Sequence, residues 1–171
     1  MNIIERLMKD HERFRASLKR LDVEVLDSLD KYSEGWTRKA GARTLSILRD
    51  LVAAIEAHEQ VERTVLYPEM LRLVPGTAEA LRQLAGQHAK LDRLLEGFVR
   101  ELPQAEKHPT AWMLSNVCDL SNLMEKHMWK EEDELFGLAE SRLGPAELDR
   151  LDRQAEKLLA AESGKAAKGA R

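Results

Sequence analysis

An all-α fold is predicted: an up-down-up-down antiparallel four-helix bundle with a short fifth helix and a flexible tail. Three features of the sequence carry this. No stretch alternates apolar and polar residues for long enough to make a strand, and the chain is built largely from Leu, Ala, Glu, Arg and Lys, with only 5% aromatics. Prolines are absent before Pro68 and then stand at Pro68, Pro75, Pro103, Pro109 and Pro145, dividing the chain into helical lengths. Within those lengths apolar residues recur at i, i+3, i+4 and i+7, the spacing of a buried helix face.

The first helix is expected over Ile3 to Lys31, with the stripe Ile4, Leu7, Phe14, Leu18, Leu21 and Val25. A polar linker, YSEGWTRKAG, follows it. The second is expected over Ala42 to Tyr67 (Leu48, Leu51, Ile55, Leu66) and the third over Thr77 to Leu102 (Leu81, Leu84, Leu91, Leu95, Phe98). Thr77 reads as an N-cap, with Glu79 in the first turn where the helix dipole favours it. The fourth runs over Thr110 to Glu140, with Met113, Val117, Leu120, Met124, Leu135 and Leu138. Short connections make these four helices antiparallel neighbours over residues 1–141. A weaker stripe of Leu148, Leu151 and Leu158 marks a fifth helix over residues 142–160, and the small, basic end at 161–171 is expected to be disordered.

A length of 171 residues suits one domain. With 27 Lys+Arg against 30 Asp+Glu, the net charge of -3 is too balanced for nucleic-acid binding, which draws its affinity from neutralised phosphates. The lone Cys118 excludes a disulfide framework and a multi-cysteine zinc site, and a cytoplasmic location is expected. MNIIERLMKDHERF is broken by charges every few residues, so it lacks the apolar core of a secretion signal. No membrane span is expected either.

The informative residues are those that interrupt the stripes. Each of the four helices has a gap filled by histidine: His11, His58, His88 and His127. The fifth histidine, His108, lies in a loop between Lys107 and Pro109 and is assigned no role. His58 and His127 are followed at i+4 by Glu62 and Glu131, a spacing that keeps both side chains on one helix face. His11 lies 8 residues after Ile3, His58 8 before Leu66, His88 11 after Thr77 and His127 12 before Ala139. In an antiparallel bundle, at a rise of ~1.5 Å per residue, the four imidazoles then fall within roughly 6 Å of one another along the axis. Two carboxylates in such a layer, with no Lys or Arg in the stripes at that level, would each cost several kcal/mol to bury unless cations offset them. A pair of divalent metal ions resolves the conflict. HEQVERTVLYPEM and HMWKEEDELFGLAE also align with one another, each with Glu at +4, Leu at +8 (Leu66, Leu135) and an aromatic at +9 (Tyr67, Phe136). This repeat places the metal near a pseudo-two-fold axis.

A lone His, HxxxE, a second lone His and a second HxxxE, in that order, resemble the hemerythrin-like (HHE cation-binding) family. The similarity covers residues 1–140 and includes Asp10-His11 and Leu66-Tyr67-Pro68. It implies a non-haem centre of two iron ions, oxo- or hydroxo-bridged, with zinc or manganese as possible substitutes. His11, His58, His88 and His127 would be terminal ligands, and Glu62 and Glu131 bridges. Ferritin-like ExxH is excluded because Met8, Ile55, Ala85 and Met124 stand three before the histidines. HExxH is excluded because His58-Glu59 leads to Glu62. Oxygen carriers of the family have a further histidine one turn after the lone ligand of the third helix, where this chain has Asp92 at the flank of the stripe. Glu59 lies within the arc of Leu48 and Val52 and is the candidate supplementary ligand.

The expected function is binding or reduction of a small oxidant, O2, NO or H2O2, in sensing or stress defence. The alternative is an iron-responsive module acting through a protein partner, with metal ordering the bundle. A third reading, a metal-free interaction protein, requires buried polar residues that pair with one another. The chain is expected to be a monomer or homodimer, and Trp36, Trp112 and Trp129 are scattered rather than gathered in one patch.

Overall fold

The computed structural model describes the backbone of residues 1–30, 38–105 and 111–169 and the side chains of 1–24, 42–103, 105 and 112–162. Val25, Trp36 and His108 fall outside the described side chains. The described residues are helical apart from short turns. Helix α1 is Ile3–Asp30. Asn2 caps it: the Asn2 Oδ1 accepts from the amides of Ile4 (2.9 Å) and Glu5 (3.0 Å), while Glu5 Oε2 accepts from the Asn2 amide (2.9 Å).

Helix α2, Arg38–Val61, begins inside the stretch expected to be linker. It continues through a π-helical turn, Glu62–Leu66, into α3, Tyr67–Leu73. Pro68 therefore does not end this helix. The wider turn has already changed the hydrogen-bond register, with the Tyr67 amide bonded to the Glu62 carbonyl, and proline sits at the start of the resumed α segment where a missing N–H is tolerated. Gly76, at φ 87°, makes the reversal into α4, Ala78–Ala105. Thr77 stands at the N-cap position, but its hydroxyl donates backwards to the carbonyls of Val74 (2.9 Å) and Met70 (3.3 Å) and so closes the end of α3.

Helix α5, Ala111–Lys130, passes through a second π-helical turn, Glu131–Phe136, into α6, Gly137–Arg142. Helix α7, Pro145–Gly169, runs past the Ala160 boundary drawn from the apolar pattern, so the segment read as a disordered tail has helical backbone to Gly169. Its Ala and Lys favour helix without needing a stripe to bury.

Adjacent packing pairs run α1 with α2, α2 with α4, α4 with α5 and α5 with α1, the square of an antiparallel bundle. The apolar interior is split in two. Phe14, Leu18, Leu51, Ile55, Leu91, Phe98 and Met124 belong to one half. Ile3, Leu7, Leu66, Met70, Leu84, Leu135 and Ala139 belong to the other. Leu148, Leu151 and Ala155 of α7 complete the second half, and Arg6 grips Asp152 through Nε (2.5 Å) and Nη2 (3.2 Å). Among the described helices none is long and apolar enough to cross a membrane.

Two glycines of α4 respond to added bulk in opposite ways. A Cβ on Gly97 would collide with the indole of Trp112, which packs edge-on against Phe98 at 5.2 Å. A Cβ on exposed Gly86 meets nothing. Thermal or urea unfolding is expected to show Gly97→Ala destabilised by about 1–3 kcal/mol through overpacking. Gly86→Ala should be stabilised by about 0.5–1 kcal/mol through helix propensity.

Candidate metal centre

Between the two apolar halves lies one polar layer. His11, His58, Glu62, His88, His127 and Glu131 are all at most 3% exposed. They form two groups whose ligand atoms lie within 4.8 Å of one another: His11, His58, Glu62 and Glu131, and His88, His127, Glu62 and Glu131. Nε2 of His11 is 3.2 Å from that of His58, and Nε2 of His88 is 3.1 Å from that of His127. Two imidazoles sharing one ion at about 2.1 Å each come about this close.

The carboxylates belong to both groups. Glu62 Oε1 is 3.1 Å from His58 Nε2, and its Oε2 is 3.2 Å from His88 Nε2. Glu131 Oε2 lies 3.3 Å from Nε2 of both His11 and His127. Despite these short distances, both Glu62 oxygens and Glu131 Oε2 are buried without a hydrogen-bond partner. Carboxylate oxygens crowded against ring nitrogens without a hydrogen bond, all within 4.8 Å of one another in each group, are arranged as the donors of a cation would be. The imidazoles pair with one another across each group and Tyr67 bonds Glu131, but these three carboxylate oxygens are left over.

The π turns explain how the helices deliver further groups. On a straight α-helix, at about 100° per residue, the aromatic nine positions after each histidine would face away from it. The extra residue taken up by the wider turn brings it back. Tyr67 thus stacks on His88 (5.6 Å, 6°) and donates to Glu131 Oε1, while Phe136 stacks on His11 (5.4 Å, 27°). The same shift turns Ala139 inward and leaves Leu138 only half-buried. The sequence repeat marked both aromatics, but periodicity alone gave no reason to aim them at the site.

Behind the four imidazoles stands a second ring of residues. His11 Nδ1 donates to Glu132 Oε1 (2.7 Å), and Arg15 clamps that carboxylate at 2.9 and 3.0 Å. His127 Nδ1 donates to Gln87 Oε1 (3.1 Å). His58 Nδ1 is 3.5 Å from Asp10 Oδ2, and His88 Nδ1 accepts from Arg63 Nε (3.1 Å). Glu59 is 2% exposed, as its arc predicted, but it stands apart from both ligand groups. Arg63 Nη2 holds its Oε2 at 2.6 Å, while Oε1 has no partner, and burial pushes the carboxyl up to about 8 against the pull of Arg63. Asp92, 41% exposed in its side chain, also binds Arg63 (2.9 and 3.0 Å). Arg63, Arg15, Gln87, Glu132 and the role of Tyr67 escaped the sequence reading, because flanking positions carry no periodic signal.

Electrostatics in the absence of metal agree with this layout. Burial lowers His11 to about 4 and His127 to about 3. At His58 burial acts the same way but is outweighed by Glu62 and Asp10, which raise it to about 9. Burial would raise Glu62 too, but the neighbouring imidazoles hold it well below the usual carboxylate range. Burial and the charge of Glu62 push Glu131 well above that range.

The family model for the Hemerythrin HHE cation binding domain matches residues 2–139. No curated protein and no solved structure matches the chain.

Elemental analysis after anaerobic reconstitution is expected to give about two metal ions per chain, and removing them with a chelator should lower the melting temperature. At free metal 100-fold above the dissociation constant the bound form gains about 2.7 kcal/mol. A metal ion needs neutral His58, which the metal-free protein protonates below about 9. Affinity should therefore rise with pH up to that value, by about tenfold per pH unit for this proton. Calorimetry in buffers of different ionisation enthalpy will read the proton released.

Proposed function

The chain belongs to the hemerythrin HHE cation-binding family, and we propose that it is a non-haem di-iron protein that binds or reduces a small oxidant: O2, NO or H2O2. The observation that carries this reading is a pair of half-sites sharing two carboxylates whose inward oxygens have no hydrogen-bond partner. His11 and His58 would hold one ion, His88 and His127 the other, and Glu62 and Glu131 would span them. Iron held by these residues would supply the reducing electrons for a small oxidant; zinc or manganese would fit the same nitrogen and oxygen donors, zinc without that redox chemistry.

The chain's own residues perform the rest. Glu132 and Gln87 accept from the Nδ1 atoms of His11 and His127, which turns their Nε2 lone pairs inward. Burial holds the Tyr67 phenol protonated far above its ordinary range, so it keeps donating to Glu131 and fixes that carboxylate's orientation. Phe14, Ile55, Leu91 and Met124 on one side, with Leu7, Leu66, Leu84 and Leu135 on the other, keep bulk water from the layer. Asp92, where the oxygen carriers of the family have another histidine, is engaged by Arg63 and leaves the four-histidine set without that imidazole. A centre with fewer nitrogen ligands has room for exogenous ones, which favours reaction over reversible carriage. The single free cysteine, exposed Cys118, suits a cytoplasmic setting.

Stopped-flow spectroscopy of the chain loaded with Fe(II) without oxygen tests this. On mixing with air the absorption change is expected to persist after oxygen is removed, with O2 consumed, and peroxide should be consumed faster than by zinc-loaded protein. Full recovery of the starting spectrum on deoxygenation, or no consumption of any oxidant, would overturn the reading. Asp92→His should slow the irreversible change.

A further inference from the structure

The four imidazoles offer the same Nε2 atom to the centre, but the groups behind them differ in a way that divides the two half-sites. A neutral histidine carries one N–H, and the hydrogen bond made by the outer nitrogen decides which nitrogen bears it. His11 donates from Nδ1 to the Glu132 carboxylate, so its Nε2 lone pair already faces inward. His58 has a carboxylate oxygen of Asp10 at 3.5 Å behind its Nδ1. His127 donates to the neutral amide oxygen of Gln87.

His88 is the exception. The guanidinium of Arg63 is always protonated, and its Nε–H donates to His88 Nδ1 at 3.1 Å. Nδ1 is thereby the acceptor, and the ring proton of neutral His88 sits on Nε2, the atom that faces Glu62 Oε2 at 3.2 Å. For Nε2 of neutral His88 to serve as a ligand, that proton must pass to Nδ1, and Arg63 must then withdraw from the ring.

We propose that the two half-sites bind metal unequally and in order, the His11–His58 site first and the His88–His127 site second, with Arg63 as the positioning residue that holds the second site back. This deepens the two-metal reading above and rests on it. The surroundings give Arg63 somewhere to go. Its side chain is 41% exposed, on a cleft of about 270 Å³ lined also by Glu56, Glu59, Gln60, Thr64 and Asp92. Its Nη2 is already held there by Glu59 at 2.6 Å and Asp92 at 2.9 Å, and the buried Glu59 Oε1 has no hydrogen-bond partner. Withdrawal onto these carboxylates releases His88 Nδ1 without leaving the guanidinium unpaired. Among the described residues no arginine or lysine is seen to bond an imidazole of the first half-site: Arg15 contacts Glu132 instead.

The test is an anaerobic titration of the metal-free chain, labelled with nitrogen-15, with Zn(II). Histidine ring-nitrogen spectra are followed alongside calorimetry. His11 and His58 Nε2 signals are expected to move over the first equivalent and those of His88 and His127 over the second, with dissociation constants at least about tenfold apart. Arg63→Leu should tighten the second step by about tenfold while leaving the first within about twofold. Glu132→Gln should weaken the first step by about 10–100-fold. All four histidines moving together in the unaltered chain, the reverse order, or a folded Arg63→Leu variant with an unchanged second step would overturn the proposal. If Arg63→Leu does not fold, the order in the unaltered chain decides, together with Arg63→Lys, which keeps the charge but lacks the Nε donor and should also tighten the second step. Two equal sites would overturn the ordering alone, whereas no zinc bound at all would overturn the metal-centre reading with it.

Discussion

Two carboxylates at zero exposure in the middle of an apolar bundle are the constraint on which the rest of this molecule depends. Glu62 and Glu131 would each cost several kcal/mol if left charged and uncompensated. Imidazoles from all four bundle helices surround them, yet the inward oxygens stay without hydrogen bonds. The protein therefore commits two apolar half-cores to enclosing a layer whose groups could hold metal. Helix register follows from this requirement, since a slip of one residue on any helix rotates its ligand by about 100° and out of the layer.

The two π turns belong to the same requirement. Each begins at the glutamate of an HxxxE pair and lets an aromatic arrive beside a histidine of another helix. The pseudo-two-fold repeat is thus real in the backbone, but it is broken chemically. Tyr67 can donate to Glu131, whereas Phe136, its counterpart, has nothing to donate to Glu62. A second break lies outside the ligands, where a carboxylate, an amide and a guanidinium stand behind different imidazoles. Two groups of equivalent residue types are in this way given unequal surroundings.

Helix α7 lies beyond the matched family region and completes the half-core that begins at Ile3 and Leu7. It also touches the first π turn, the segment that starts at Glu62. Asp152 is 6% exposed and its carboxylate is offset by the Arg6 guanidinium in a two-pronged contact. Breaking one partner of such a pair leaves a charge uncompensated, so α7 is registered on α1 as well as greased against it.

By itself the sequence determined the all-α class, the four-helix order, the histidine layer and the two shared glutamates. Those features repeat at 3.6 residues, and a buried face leaves that period visible in any amphipathic helix. Burial of Glu59 was legible for the same reason, but its partner was not: whether a buried carboxylate meets a cation centre or an arginine depends on how the helix is rotated. Only the tertiary structure decided that Pro68 lies inside a continuous helical rod, that Tyr67 reaches Glu131, and that Arg63, Glu132 and Gln87 stand behind the ligands. A π turn abandons the 3.6 period on which the sequence reading relies. The outer partners sit on helix flanks, where the neighbour is set by the packing of two helices and by no spacing within either.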